Sequence, residues 1–142
     1  MEKYRLLLTP IIAWFSVQLF KFIADAIKHK RLNFKRLAET GGMPSSHSAV
    51  VTSLMTFFAL QYGVESPYFA IAFVFGIVVM YDAAGVRRAA GKQAGILNQL
   101  IYSNQVKVDT NEKLKELLGH TPVEVFVGAF WGIFLAIILY NF

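Results

Sequence analysis

The chain has 142 residues, 56% of them hydrophobic, with 13 Phe, no Cys and a formal net charge of +5. So apolar a composition excludes an ordinary water-soluble domain of this length. The lack of Cys excludes disulfides, thiolate catalysis and Cys-ligated metals. The three His residues, His29, His47 and His120, show no close ligand-pair spacing such as H-E-x-x-H, so no metal ligand set and no cofactor are expected.

A bilayer core of about 30 Å is crossed by roughly 20 apolar residues. Four segments meet or approach that length: Leu6–Ala26, Pro44–Tyr62, Pro67–Tyr81 and Pro122–Tyr140. The fold class predicted is therefore all-α, an integral membrane helical bundle of about four transmembrane spans, with residues 1–142 as a single domain. Lys3 and Arg5 precede an apolar run longer than a signal-peptide core, so this run reads as a retained first span. Near its end Lys21 and Asp25 stand four apart and are predicted to pair. The basic stretch Lys28–Arg36 follows and contains His29, read as part of a solvated surface. The pair Gly41-Gly42 then predicts a turn with positive φ.

The second span opens on Met43-Pro44-Ser45-Ser46-His47-Ser48. Read as a helix start with Pro44 at its opening, it places two hydroxyls, a His and unpaired backbone N–H groups at the positive end of a helix dipole, which suits an anion. Lipid contact would be costly for these groups, so they belong at the membrane edge or in a protein-lined cavity. After the turn at Gly63–Pro67, the third span runs into Tyr81-Asp82-Ala83-Ala84-Gly85-Val86-Arg87-Arg88 and is predicted to continue beyond the membrane to Tyr102, as a cytoplasmic-side helical extension. Asn104–Thr110 reads as a loop and Glu112–Leu118 as a short amphipathic helix ended by Gly119. Thr121 is a plausible N-cap for the last span, with Pro122 at its first position. Gly128 with Gly132, and Gly91 with Gly95, offer small-residue faces for close helix packing.

Counting crossings gathers the basic stretch, His47, Asp82, Arg87, Arg88, Lys92, His120 and Glu124 on one side of the membrane. The positive-inside tendency assigns that side to the cytoplasm and the protein to the inner (plasma) membrane, although a phosphate site attracts the same cations. His120 and Glu124, four apart, share a helix face, where the carboxylate can fix the imidazole tautomer and leave the other nitrogen as nucleophile or base. His47 can protonate a leaving group. Ser45 and Ser46 can hold phosphoryl oxygens, and Arg87, Arg88 and Arg36 can neutralise them. Each has a plainer reading: Arg87 and Arg88 as surface anchors, Arg36 as one of several headgroup contacts with Lys35 and Arg31, His47 as a polar helix-start residue near the interface, His120 as a C-cap partner for the preceding short helix and Glu124 as an interfacial charge. Asp82 is read as holding the arginines by charge pairing.

These residues carry a family resemblance. The chain resembles the type 2 phosphatidic acid phosphatase superfamily, which includes vanadium haloperoxidases, and more closely its divergent branch of small bacterial and plant membrane proteins. Pro44-Ser45-Ser46-His47 is similar to the superfamily's P-S-G-H box, and His120-Thr121-Pro122-Val123-Glu124 to its H-x-x-x-D box. The resemblance implies His120 as a nucleophile that becomes phosphorylated, Glu124 as its orienting acid and His47 as general acid. Ser46 stands for the usual Gly and Glu124 for Asp. Lys113 and Leu114 occupy the places of an S-R pair, and the K-x-x-x-x-x-x-R-P box is matched only partly, by the spacing of Lys28 to Lys35 or His29 to Arg36.

The expectation is a metal-independent lipid phosphate or lipid diphosphate phosphatase working through a phosphohistidine. Candidate substrates are phosphatidic acid, phosphatidylglycerol phosphate and polyprenyl diphosphates. Phosphate is the product, nucleic acid is not a partner, and a homodimer is plausible for so few helices around a polar site. Two rivals stand beside it. One is a small transporter or scaffold retaining the helical core without turnover, and the other is a vanadate-dependent oxidant sharing the anion pocket.

Overall fold

A computed structural model describes residues 2–37, 41–103, 114, 116 and 118–142, the side chains of residues 2, 3, 35 and 36 excepted. Its described elements are helical: α1 (Glu2–His29), a 3-10 turn (Phe34–Leu37), α2 (Ser46–Tyr62), α3 (Pro67–Ala84), α4 (Val86–Tyr102) and α5 (Pro122–Asn141). Among the described residues, three stretches are long and apolar enough to cross a membrane: Tyr4–His29, Pro67–Tyr102 and Pro122–Asn141. The fourth expected span, α2, has 17 residues and occupies the centre, packed against α1, α3 and α5.

The bundle wears its apolar side chains outward. Leu7, Ile11, Phe15, Ile71, Val74, Phe126, Phe130 and Phe134 are exposed, as expected where the surrounding solvent is hydrocarbon. The interior is built of small and hydroxyl residues instead. Ala13, Val17, Ser45, Ser48, Ala49, Thr52, Ser53 and Ala136 are buried. Small residues let backbones approach closely, and close packing replaces the hydrophobic effect between helices in lipid. Gly128 and Gly132 show why α5 lies so near α2. A Cβ on Gly128 would collide with the Ser45 backbone, and one on Gly132 with Ala49 O and Thr52 Oγ1. The Thr52 hydroxyl bridges the same seam, within 2.7 Å of Ser48 O and 3.0 Å of Ala129 O. Trp131 Nε1 donates to Ser16 Oγ at 2.9 Å and ties α5 to α1.

Bonds at the two ends set α5 parallel to α2 and antiparallel to α3. At one end Tyr140 Oη donates to Leu60 O at 3.2 Å. At the other, Ser45 N–H donates to Glu124 O at 3.0 Å and His120 N–H to Ala83 O at 2.9 Å. The end of α1, the start of α2, the end of α3 and the start of α5 therefore meet, as the crossing count requires.

The third span does continue to Tyr102, but it breaks at Gly85, whose φ of −102° and ψ of −87° are not helical. The partner of the Gly91 and Gly95 face is not a helix. A Cβ on Gly91 would lie 2.5 Å from Glu116 O and 2.9 Å from Leu118 O, so α4 receives the chain returning toward α5. Asn98 fastens that return: its Nδ2 donates to Leu114 O at 2.9 Å and Glu116 Oε1 at 2.8 Å, and its Oδ1 accepts from Leu114 N–H at 3.0 Å. Leu114, Glu116 and Leu118 are not helical; the rest of the short helix expected at Glu112–Leu118, and the loop Asn104–Thr110, lie outside the described residues. Gly119 does not end a helix there. It has a φ of +79° and sits against the Arg87–Arg88 backbone where no Cβ fits.

Candidate active site

The site is assembled by two helix starts. Gly41 and Gly42 adopt φ of 105° and 74°, the turn expected of them, and Met43–Pro44 is a cis peptide. The helix starts at Ser46, so Pro44 is not its opening residue, as its sequence position implied. Ser45 is the N-cap, its Oγ accepting from Ser48 N–H at 3.3 Å, and Ser46 and His47 are the first two helical residues. The cap role occupies the Ser45 hydroxyl, which is fully buried, whereas Ser46 lines a cavity beside His47.

The second start is a complete capping box. Thr121 Oγ1 accepts from Glu124 N–H at 3.3 Å, and Glu124 Oε2 accepts from Thr121 N–H at 3.2 Å. The same Oε2 lies 3.1 Å from His120 Nδ1. One carboxylate oxygen thus caps the helix and holds the imidazole, a dual use that the longer Glu permits where the resembling box has Asp. A carboxylate can only accept, so Nδ1 carries the proton and Nε2 keeps its lone pair.

The two starts bring the rings of His47 and His120 to a centroid distance of 5.8 Å at 65°. Far apart in sequence, these imidazoles are close enough to contact one phosphoryl group. His120 is 2% exposed. Burial lowers its pKa from the ordinary 6.5; the hydrogen bond to Glu124 pulls the other way, and the charge of Lys21 adds to the lowering. A hydrogen bond to the Gly42 backbone also pulls upward, and the net lowering favours the neutral ring. His47 Nδ1 is buried with no hydrogen-bond partner among the described residues.

Beside His47 opens a cavity of about 640 Å³ between α1, α2 and α3, with Ser46, His47, Asp82 and Arg87 at its polar end. Arg87 Nε donates to Asp82 Oδ2 at 2.5 Å, the pairing expected of them. Arg88 does not line this cavity; its backbone packs on Gly119. The side chain of Arg36 lies outside the described residues.

One group near the histidines was not anticipated. Lys21 is 3% exposed, and its charge acts on both imidazoles. The carboxylate expected to pair with it, Asp25, lies 3.1 Å from His29 Nδ1 instead. Trp14, Gln18 and Lys21 follow an i, i+4, i+7 stripe, and the first two line the cavity. A Gln and a Lys on one face of an otherwise apolar span were the available signal. Among the described residues, no three His, Cys, Asp or Glu side chains gather as a metal ligand set.

Comparison with known proteins agrees with this architecture. A family model described as "Divergent PAP2 family" matches residues 3–135. A relative from Bacillus subtilis (strain 168), "Uncharacterized membrane protein YuiD", is 41% identical over 148 residues, covering 96% of this chain and 94% of its own. No solved structure matches. The chain is a multi-pass membrane protein, and it belongs to the divergent PAP2 family.

Proposed function

We propose that the protein hydrolyses a lipid phosphate or lipid diphosphate through a phosphohistidine, without a metal. The observation carrying this reading is the pairing of His47 with a carboxylate-held His120 at 5.8 Å, at a junction of two helix starts. His120 Nε2 attacks phosphorus, an N–P bond forms, and the P–O bond to the lipid breaks. His47 gives its proton to the departing oxygen. Water then attacks the phosphohistidine, passing a proton back to His47, and the N–P bond breaks to release phosphate.

Negative charge on the phosphoryl oxygens is met by Lys21, by Arg87 and by backbone N–H groups at the start of α2. Asp82 steers the Arg87 guanidinium. Arg88, which does not line the cavity, and Arg36, whose side chain lies outside the described residues, are further candidate phosphate ligands. The site belongs on the cytoplasmic face of the inner membrane, by the side on which Lys and Arg accumulate. Phosphatidic acid, phosphatidylglycerol phosphate and polyprenyl diphosphates all meet these requirements.

The test is phosphate release by the purified protein from a panel of these lipids in EDTA. The wild type is expected to release phosphate from at least one, and His120→Ala and His47→Ala from none. Turnover that survives His120→Ala would remove the nucleophile, and no release from any lipid would favour the transporter or scaffold rival.

A further inference from the structure

The cavity beside His47 is two-natured. Its polar end carries Ser46, His47, Asp82 and Arg87, while Trp14, Val50, Val51, Phe75, Val78 and Val79 line the remainder with Gln18 and Leu37. The order follows the helices. Along α3, Asp82 lies at the site and Phe75 seven residues deeper, so the apolar part extends roughly 10 Å into the membrane at 1.5 Å per residue. Trp14 and Gln18 on α1, and Val50 and Val51 one turn beyond His47 on α2, have the same polarity of arrangement.

The groove is open on its membrane side. Trp14, Phe75 and Val78 line it yet are 45%, 56% and 60% exposed, whereas Val51 at its back is 4% exposed. Its mouth therefore faces surrounding lipid between α1 and α3, and its inner end meets a cation and the His47 imidazole. Water gains little from such walls, whereas a hydrocarbon chain continuous with a phosphate matches both ends.

We infer that this groove holds one hydrocarbon chain of the phosphate-bearing lipid, entering sideways from the bilayer between α1 and α3, with any second chain left in the membrane. The groove makes the protein selective for phosphates on long apolar chains. Its short depth makes only the first stretch of chain count. The inference takes the phosphate position from the phosphatase reading and adds the location and chemistry of the tail.

Two measurements test it. In the first, kcat/KM is compared for alkyl monophosphates of increasing length. Each methylene entering the groove is expected to raise it by up to about fourfold, with dodecyl phosphate exceeding butyl phosphate by at least roughly a hundredfold and a plateau once the groove is filled. Val78→Trp narrows the mouth at an exposed position and is expected to lower the dodecyl-to-butyl ratio at least tenfold. Ile71→Trp, also on the exposed face of α3 but outside the groove, leaves the ratio unchanged. Equal turnover of both lengths, or a ratio insensitive to Val78→Trp, overturns the inference.

The second measurement needs no turnover. With Trp131→Phe, Trp14 becomes the sole Trp, and its emission is followed in nanodiscs containing lipids with brominated chains. Brominated phosphatidic acid is expected to quench Trp14 more than brominated diacylglycerol at equal mole fraction, because the phosphate draws its chain into the groove. Equal quenching, or none from either lipid, overturns the inference. Phosphate-dependent quenching without phosphate release from any substrate upholds the groove and removes the catalytic reading instead.

Discussion

Adding one methyl group at Gly128 should separate the two imidazoles. An Ala Cβ there would stand 2.9 Å from Ser45 N and 3.0 Å from Ser45 C, and nearer still to Ser45 O. Ordinary contact begins near 3.4 Å, so the start of α2 must retreat by at least about 0.5 Å, since backbone cannot rotate aside as a side chain does. Overpacking of this kind costs about 1–3 kcal/mol. Ser45 caps α2 two residues before His47, so the retreat also moves His47 from His120. A misplacement of about 1 Å can cost about a hundredfold in rate, so Gly128→Ala is expected to lose roughly ten- to a hundredfold in kcat. Gly132→Ala meets Ala49 and Thr52 one turn further from the site. It should destabilise similarly yet keep most of its activity. The assay pairs thermal unfolding in detergent with phosphate release. Equal loss of activity in the two variants, or full stability in both, would refute the reasoning.

Further outcomes follow from the same geometry. Glu124→Gln keeps a residue compatible with the capping box but removes the charge that favours protonated His120. The acid limb of kcat/KM, below pH 6.5 in the wild type, should therefore move to still lower pH, while kcat falls by roughly 10²–10⁴; a limb that moves upward contradicts the assignment. The lowered pKa of His120 also means that the unfolded chain binds more protons between that value and 6.5. Its contribution to stability is thus complete above pH 6.5 and declines on acidification through that window, which chemical unfolding across pH can follow. Lys21→Met fills the same buried space without charge. It should weaken orthovanadate binding by the folded protein at least about tenfold; an unchanged affinity would assign Lys21 to structure alone. Asn98→Ala removes three hydrogen bonds to Leu114 and Glu116, at a cost of about 1–3 kcal/mol, and should speed tryptic cleavage after Lys113 and Lys115; an unchanged cleavage rate would contradict the fastening role.

The elements most legible in the sequence were those set by one-dimensional signals. Apolar run lengths located α1, α3 and α5, and Thr121-Pro122 with Glu124 marked the start of α5 down to its cap. Joining His47 to His120 needed only the count of crossings, which puts the starts of α2 and α5 on one side. What sequence could not reveal depends on contacts between segments. Gly85 looked no stronger as a breaker than Gly91 or Gly95, yet the helix breaks at the first, just before the Arg87–Arg88 backbone on which Gly119 packs, while the others seat the chain held by Asn98. Lys21 had a carboxylate at ideal helical spacing, but Asp25 instead approaches His29 one turn further on. Pro44 resembled a first helical residue because Pro favours that position; the cap hydrogen bond of Ser45 decides the start instead. The tail groove was invisible because its walls come from three helices and are ordinary Val, Phe and Trp.

The central claim is that His47 and His120 flank a single bound oxyanion. Histidine-selective ¹⁵N NMR of the solubilised protein, titrated with orthovanadate, tests it without requiring turnover. The ring signals of His47 and His120 are expected to shift together along one binding curve, while half-exposed His29, paired with Asp25 on the surface, stays still. Movement of only one of the two, or separate affinities for each, would contradict a shared phosphate site.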